Sequence, residues 1–108
     1  MAYTLIPNLA AEAEVPDRGT LSRVLHDDDC VRLVLFAFDA GQELTEHTAS
    51  RPAVLQVLSG RFRVTAGGET FAMGPGAWLL LDAHEPHSLL AEKPSRLLLS
   101  MLRPGSGG

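Results

Sequence analysis

Short apolar runs, separated by turns rich in glycine, proline and aspartate, recur along this sequence. The run Arg61–Thr65, RFRVT, alternates polar and apolar residues, which is the period of a β-strand with one buried face. The run Val31–Phe38, VRLVLFAF, is almost continuously apolar and predicts a strand that is buried on nearly both faces. Because such runs recur at spacings of roughly eight to twelve residues with almost no helical periodicity, the pattern predicts an all-β sandwich or barrel. The predicted strands are Thr20–His26, Val31–Phe38, Ala53–Leu58, Arg61–Thr65, Glu69–Met73, Ala77–Leu81, His87–Ala91 and Ser95–Leu102.

The same pattern divides the chain into three segments. Residues 1–19 are a lead-in, in which Asn8 is predicted to cap a short helical turn that Pro16 ends. Residues 20–102 form one barrel domain, and residues 103–108 form a flexible tail. The three aspartates 27–29 are predicted to form a polar hairpin tip rather than a cation site.

Composition and charge exclude several classes of partner. The net charge is −4 and the nine basic residues are scattered, so the clustered Lys and Arg that nucleic-acid binding requires are missing. The apolar runs are of strand length, far below the ~20 residues of a membrane helix, so no membrane partner is expected. The single cysteine, Cys30, excludes an internal disulfide and fits a reducing compartment. Since no signal peptide is evident at the N-terminus, we expect a cytoplasmic protein.

Two histidines are the candidate chemistry. His47 lies between a glycine turn and an apolar run, and His87 begins another apolar run. Neutral imidazole is the commonest ligand of first-row metals, and a barrel can direct two imidazoles from different strands at one point. A third donor would have to come from elsewhere, and His84, three residues before His87 in a predicted loop, is the candidate. Glu46 should point to the opposite face from His47 if the strand alternates regularly.

The spacing of these residues resembles the two short motifs of the cupin superfamily. The first motif reads Gly, five residues, His-x-His, three or four residues, Glu, six residues, Gly; Gly41, His47 and Gly60 match it. The second histidine and the glutamate of that motif fall on Ala49 and Ala53. In the second motif His87 matches, with Pro86 before it, whereas the Pro-x-Gly falls on 82–84 and the final Asn on Ala91.

The resemblance covers roughly residues 30–102 and implies a single antiparallel jelly-roll β-barrel. A cupin metal site uses three histidines and one glutamate, and this chain keeps His47 and His87 of those four. The resemblance therefore implies a degenerate site, with Zn, Ni, Fe, Mn or Cu as the candidate divalent metals, or with no metal. Since small cupins pair through edge strands, it also implies a homodimer.

A predicted cavity surrounds the two histidines. By strand alternation, Ala53, Leu55 and Val57 share one face, and Leu89 and Ala91 share the face of His87. Together with Ala49 they would line an apolar pocket with few polar points, which is the usual composition of a small-molecule site. The alternative is that they are ordinary core residues.

Three functions remain open from the sequence. The first is a cupin-type enzyme acting on a small organic substrate, with a metal as Lewis acid or with a histidine as general base. The second is a metal-free module that binds a small molecule as a sensor, without catalysis. The third is a structural dimerisation barrel with no pocket chemistry. The fold by itself does not choose among them.

Overall fold

The computed structural model describes residues 2–103, which form one short helix and nine strands. A 3₁₀ helix at Leu9–Glu12 comes first. The strands in this part of the chain are β1 (Thr20–Asp27), β2 (Val31–Phe38), β3 (Glu43–His47), β4 (Ala53–Ser59), β5 (Phe62–Ala66), β6 (Glu69–Met73), β7 (Trp78–Leu81), β8 (His87–Ala91) and β9 (Ser95–Leu102).

The strands form two antiparallel sheets. One sheet has the order β1-β2-β9-β4-β7 and the other has the order β3-β8-β5-β6. The all-β, antiparallel prediction is confirmed, but the expected closure into one barrel is not found. A closed barrel needs hydrogen-bonded neighbours all the way round. Within residues 2–103 the edge strands of one sheet pair with no strand of the other, so the two sheets face each other as a sandwich.

Each of the eight predicted strands is present, with its ends shifted by at most one residue. Strand β3 was not predicted, because its sequence, ELTEH, has one apolar residue and so lacks apolar alternation. It becomes a strand by pairing with β8, which is a contact that its own sequence does not indicate. The side chain of Asn8 makes no hydrogen bond to the 3₁₀ helix, so the predicted capping role is wrong.

The core lies between the two sheets. Phe38 of β2 and Phe62 of β5 are both fully buried and meet edge to face, with ring centroids 5.2 Å apart. Aromatic pairs prefer this geometry, and this pair joins the two sheets at the centre of the core. The other buried members of the cluster are Leu55, Val57, Val64, Met73, Leu81, Leu89, Ala91 and Leu97.

The N-terminal lead-in packs on the outer face of the larger sheet. Leu35 and Ala37 alternate with the core-facing Phe36 and Phe38, so they point outward, and Ala13 covers them. The guanidinium Nε of Arg96 donates a hydrogen bond of 2.8 Å to the carbonyl oxygen of Ala13. The lead-in is therefore fixed to the sheet. The predicted tail lies outside the described residues, apart from Arg103. No helix in the described part of the chain is long and apolar enough to cross a membrane.

Candidate functional site

His47 and His87 lie side by side at one end of the smaller sheet. They are direct partners in the antiparallel pairing of β3 with β8, and their ring centroids are 4.2 Å apart with an interplanar angle of 60°. His87 is 7% exposed and His47 is exposed. One imidazole is thus held in the protein interior while the other meets solvent, so the pair is accessible from outside.

A β-bulge places His47 on this face. Leu44 pairs with Leu89, and the next recorded pair is His47 with His87, so three steps on β3 match two steps on β8. In a regular strand, a residue three positions after Leu44 would lie on the face opposite to Leu44. The bulge reverses that parity and brings both imidazoles to the same face. Bulges often redirect a side chain in this way beside functional sites.

Each imidazole is held by a backbone carbonyl two residues earlier in the chain. Nδ1 of His47 is 3.0 Å from the carbonyl oxygen of Thr45, and Nδ1 of His87 is 2.8 Å from that of Glu85. A carbonyl oxygen only accepts, so Nδ1 carries the hydrogen in each ring. In the neutral rings the lone pair is therefore on Nε2 of both histidines. Metal-binding histidines are typically oriented by a hydrogen bond of this kind.

No third metal ligand joins the pair within the described residues. Across residues 2–103, no group of three or more His, Cys, Asp or Glu side chains is arranged to hold a metal ion. The strand on the other side of His87 contributes Ala66, which has no donor atom. His84 lies in the turn before β8 with a left-handed φ of 68°, and its N–H donates a hydrogen bond of 2.7 Å to the carbonyl of Ala49. The metal roles of His47, His84 and His87 stay predictions.

The predicted pocket residues are mostly buried. Ala53, Leu55, Val57, Leu89 and Ala91 are all 4% exposed or less, whereas Ala49 is half-buried. Four of them belong to the core cluster between the sheets, namely Leu55, Val57, Leu89 and Ala91. Their inward direction agrees with strand alternation, and packing against other core residues accounts for their burial. Their role as cavity walls stays a prediction.

Sequence reasoning missed the features that orient the site. The carbonyls of Thr45 and Glu85 hold the two rings, and any residue type could supply a carbonyl there. The bulge in β3 was also missed, because the glycine that often marks a bulge is absent from ELTEH. The sequence could indicate the two histidines, because their residue type is specific to positions 47 and 87.

This chain matches a known protein family and resembles several solved structures. The family model for the cupin domain matches residues 34–101. A conserved protein of unknown function from Streptococcus pyogenes is similar in structure, with a TM-score of 0.85 and 26% identity over 98% of this chain and 93% of that one. KdgF from Halomonas sp. has a TM-score of 0.75 and 25% identity, covering 87% of this chain and 92% of its own.

A cupin superfamily protein from Desulfitobacterium hafniense has a TM-score of 0.83 over 96% of this chain and 94% of that one. At 21% identity its likeness shows the fold alone. No curated protein sequence matches this chain significantly.

Proposed function

We propose that this chain, which belongs to the cupin domain family, binds a small organic ligand at the His47–His87 pair, and that the pair can hold a divalent transition metal ion there. The family follows from the match of the cupin domain to residues 34–101. The observation that supports the binding role is the orientation of the rings. Both Nδ1 atoms are engaged by backbone carbonyls, which leaves an Nε2 lone pair on each of two neighbouring rings at an accessible end of the fold.

The strand order supports the jelly roll as the finer description of the fold. In the order β2-β9-β4-β7 and in the order β3-β8-β5-β6, early strands of the chain alternate with late ones. Strands that wind back and forth between two sheets in this manner are typical of double Greek keys. We therefore propose a jelly roll that is open at its sheet edges.

The donor set fits a metal ion that is held by two protein ligands. The Nε2 atoms of His47 and His87 would be those ligands, and imidazole favours Zn, Ni, Fe and Cu over Mn. Such an ion would act as a Lewis acid on a ligand oxygen. Since Ala49 and Ala53 carry no donor atoms, we expect the ion to be held more weakly than in a four-ligand site.

A metal-free binding module is the alternative, and the absence of a third ligand in residues 2–103 favours it. In the neutral rings both Nε2 atoms are hydrogen-bond acceptors, so the pair would receive O–H or N–H donors of a small ligand. One of the two imidazoles could also serve as a general base toward that donor.

Isothermal titration of Zn²⁺ into the metal-free protein, without a histidine tag, distinguishes the two readings. We expect binding at a ratio of one ion per chain, weakened about tenfold or more by His47→Ala and by His87→Ala. His26→Ala is the matched control, because His26 lies on β1 of the other sheet, and it should bind as the wild type does. Equal Zn²⁺ affinity in the wild type and His87→Ala would reject the metal site.

The metal-free alternative has its own measurement. Small polyols and phenols should raise the melting temperature of metal-free wild-type protein, and His87→Ala should abolish the rise. If neither Zn²⁺ nor these compounds distinguish wild type from His87→Ala, the proposed binding site is wrong.

We also propose that the protein is a cytoplasmic homodimer. Trp78 and Leu80 are 60% and 45% exposed and project from the same face of β7, which is an edge strand. An exposed apolar edge of this kind supports a symmetric contact with a second copy. The exposed free thiol of Cys30 supports a reducing location. Light scattering should give a dimer mass that falls to the monomer mass in Trp78→Glu.

A further inference from the structure

A second candidate site lies on the outer face of the larger sheet, away from the histidine pair. The N-terminal segment and the β1–β2 hairpin enclose a groove of about 580 Å³, within the usual size range of small-molecule pockets. Ile6, Leu9, Val31 and Leu33 form its apolar part. An apolar wall of this kind would accept the hydrocarbon body of a ligand.

The polar end of the groove is a histidine–carboxylate pair. Nε2 of His26 is 2.6 Å from Oδ2 of Asp28. The other oxygen of Asp28, Oδ1, accepts hydrogen bonds from the backbone N–H groups of Cys30 at 2.8 Å and Val31 at 3.0 Å. The carboxylate is therefore fixed in position by the hairpin tip that it closes, and the carboxylate in turn fixes the imidazole.

These contacts also decide which ring nitrogen is free. The hydrogen bond from His26 and those from the two backbone N–H groups lower the pKa of Asp28 to about 2, so the group is an ionised acceptor at neutral pH. Nε2 of His26 must then carry the hydrogen, and Nδ1 of the neutral ring is an acceptor. In the part of the chain that the structure describes, Nδ1 of His26 has no hydrogen-bond partner.

The charges around this end are unbalanced. Asp27 is paired with Arg32 at 3.6 Å and with Arg103 at 2.5 Å. Asp28 is paired with His26, and Asp29 has no ion pair within residues 2–103. Three carboxylates against two guanidiniums leave one net negative charge while His26 is neutral. A ligand that presents a positive charge here would be favoured over an anion.

We propose that this groove binds an amphipathic amine. The ammonium group would donate a hydrogen bond to Nδ1 of His26 and lie in the field of Asp28, and the hydrocarbon body would cover Leu9 and Leu33. An ammonium group suits this site because it can donate a hydrogen bond to the imidazole and because its positive charge complements the net negative charge around Asp28. The proposal does not depend on the function of the His47–His87 pair, which belongs to the other sheet.

Calorimetric titration with 2-phenylethylamine, 2-phenylethanol and 3-phenylpropionate at neutral pH tests the proposal. The three probes share a phenyl body and differ in the charge of the polar group. We expect 2-phenylethylamine to bind with a Kd of about 1 mM or below, which is reasonable for a ligand of its size. The alcohol should bind about tenfold more weakly, and the carboxylate should show no binding.

Two variants locate the site. Asp28→Asn keeps an oxygen that accepts from the hairpin N–H groups but removes the charge, and His26→Leu removes the acceptor without altering the hairpin tip. Each should weaken amine binding about tenfold or more, while His87→Ala should bind the amine as the wild type does. Alcohol or carboxylate binding as tight as that of the amine, unchanged affinity in both variants, or no amine binding up to about 10 mM would each overturn the proposal.

Discussion

Replacing Gly60 with alanine should destabilise the protein far more than the same change at Gly41. Both glycines have a φ of +84°, which side-chain-bearing residues rarely adopt. They differ in surroundings. A Cβ built on Gly41 meets no atom within 4 Å, whereas a Cβ on Gly60 would lie 2.0 Å from Oγ of Ser95 and 2.5 Å from the carbonyl oxygen of Pro94.

The cost at Gly60 comes from two sources. The left-handed backbone costs roughly 1–2 kcal/mol with an alanine, and Gly41→Ala incurs the same cost. At Gly60, Ser95 would also have to move, although it is completely buried. Its Oγ accepts from the N–H of Arg61 at 2.9 Å and donates to the carbonyl of Lys93 at 2.6 Å. Breaking the two hydrogen bonds of this buried hydroxyl adds about 2–4 kcal/mol, so we expect a total of about 3–6 kcal/mol.

Urea unfolding followed by far-ultraviolet circular dichroism measures this difference. Natural domains are stable by only about 5–15 kcal/mol, so Gly60→Ala should lower the urea midpoint strongly or leave little folded protein at 25 °C. Gly41→Ala should remain folded, with a loss of about 1–2 kcal/mol. If the two variants unfold at the same urea concentration with the same slope, the close approach of Ser95 to Gly60 is not what requires a glycine there.

Three further predictions concern the site and the hairpin. Deleting Glu46 should remove the bulge but leave His47 two residues after Leu44 and so on the face of His87, and Zn²⁺ affinity measured by calorimetry should stay within about threefold of the wild type; a loss of about tenfold or more would contradict this account of the bulge. Adding donors with Ala49→His and Ala53→Glu should raise Zn²⁺ affinity markedly in the same titration, and no gain over the wild type would count against the geometry of the site. The folded-state pKa of Asp28 is about 2 and lies below its ordinary value of 3.8, so the carboxylate stabilises the fold above about pH 4 and that contribution is lost as the pH falls toward 2. The difference in unfolding free energy between wild type and Asp28→Asn should therefore shrink over that range in urea titrations, and a constant difference would show that Asp28 does not contribute in this way.

Local features of the sequence were enough to predict most of the strands. The alternation in RFRVT, the apolar run of β2 and the glycine turns each involve residues that are adjacent in sequence. Strands and turns can therefore be predicted from them without knowledge of the tertiary structure. The same alternation correctly put Leu89 and Ala91 on the buried face of β8 with His87. The proximity of His47 to His87 was also predictable, from the resemblance of their spacing to two known motifs.

Pairing between segments that are distant in sequence determined strand β3, its bulge, the closure of the sheets and the groove at His26. Strand β3 exists because β8 is beside it, and the bulge that puts His47 on the face of His87 depends on the register of that pair. Whether the sheets close into a barrel depends on hydrogen bonds at four sheet edges, which no single strand's pattern encodes. The groove at His26 likewise requires the lead-in to pack across β2, and Arg96, far along the chain, fixes that lead-in through Ala13. The sequence by itself thus determined eight of the nine strands in residues 2–103 and the inward face of regular strands such as β8. Only the tertiary structure determined which side chains meet, because register and packing are set by contacts between residues that are distant in sequence.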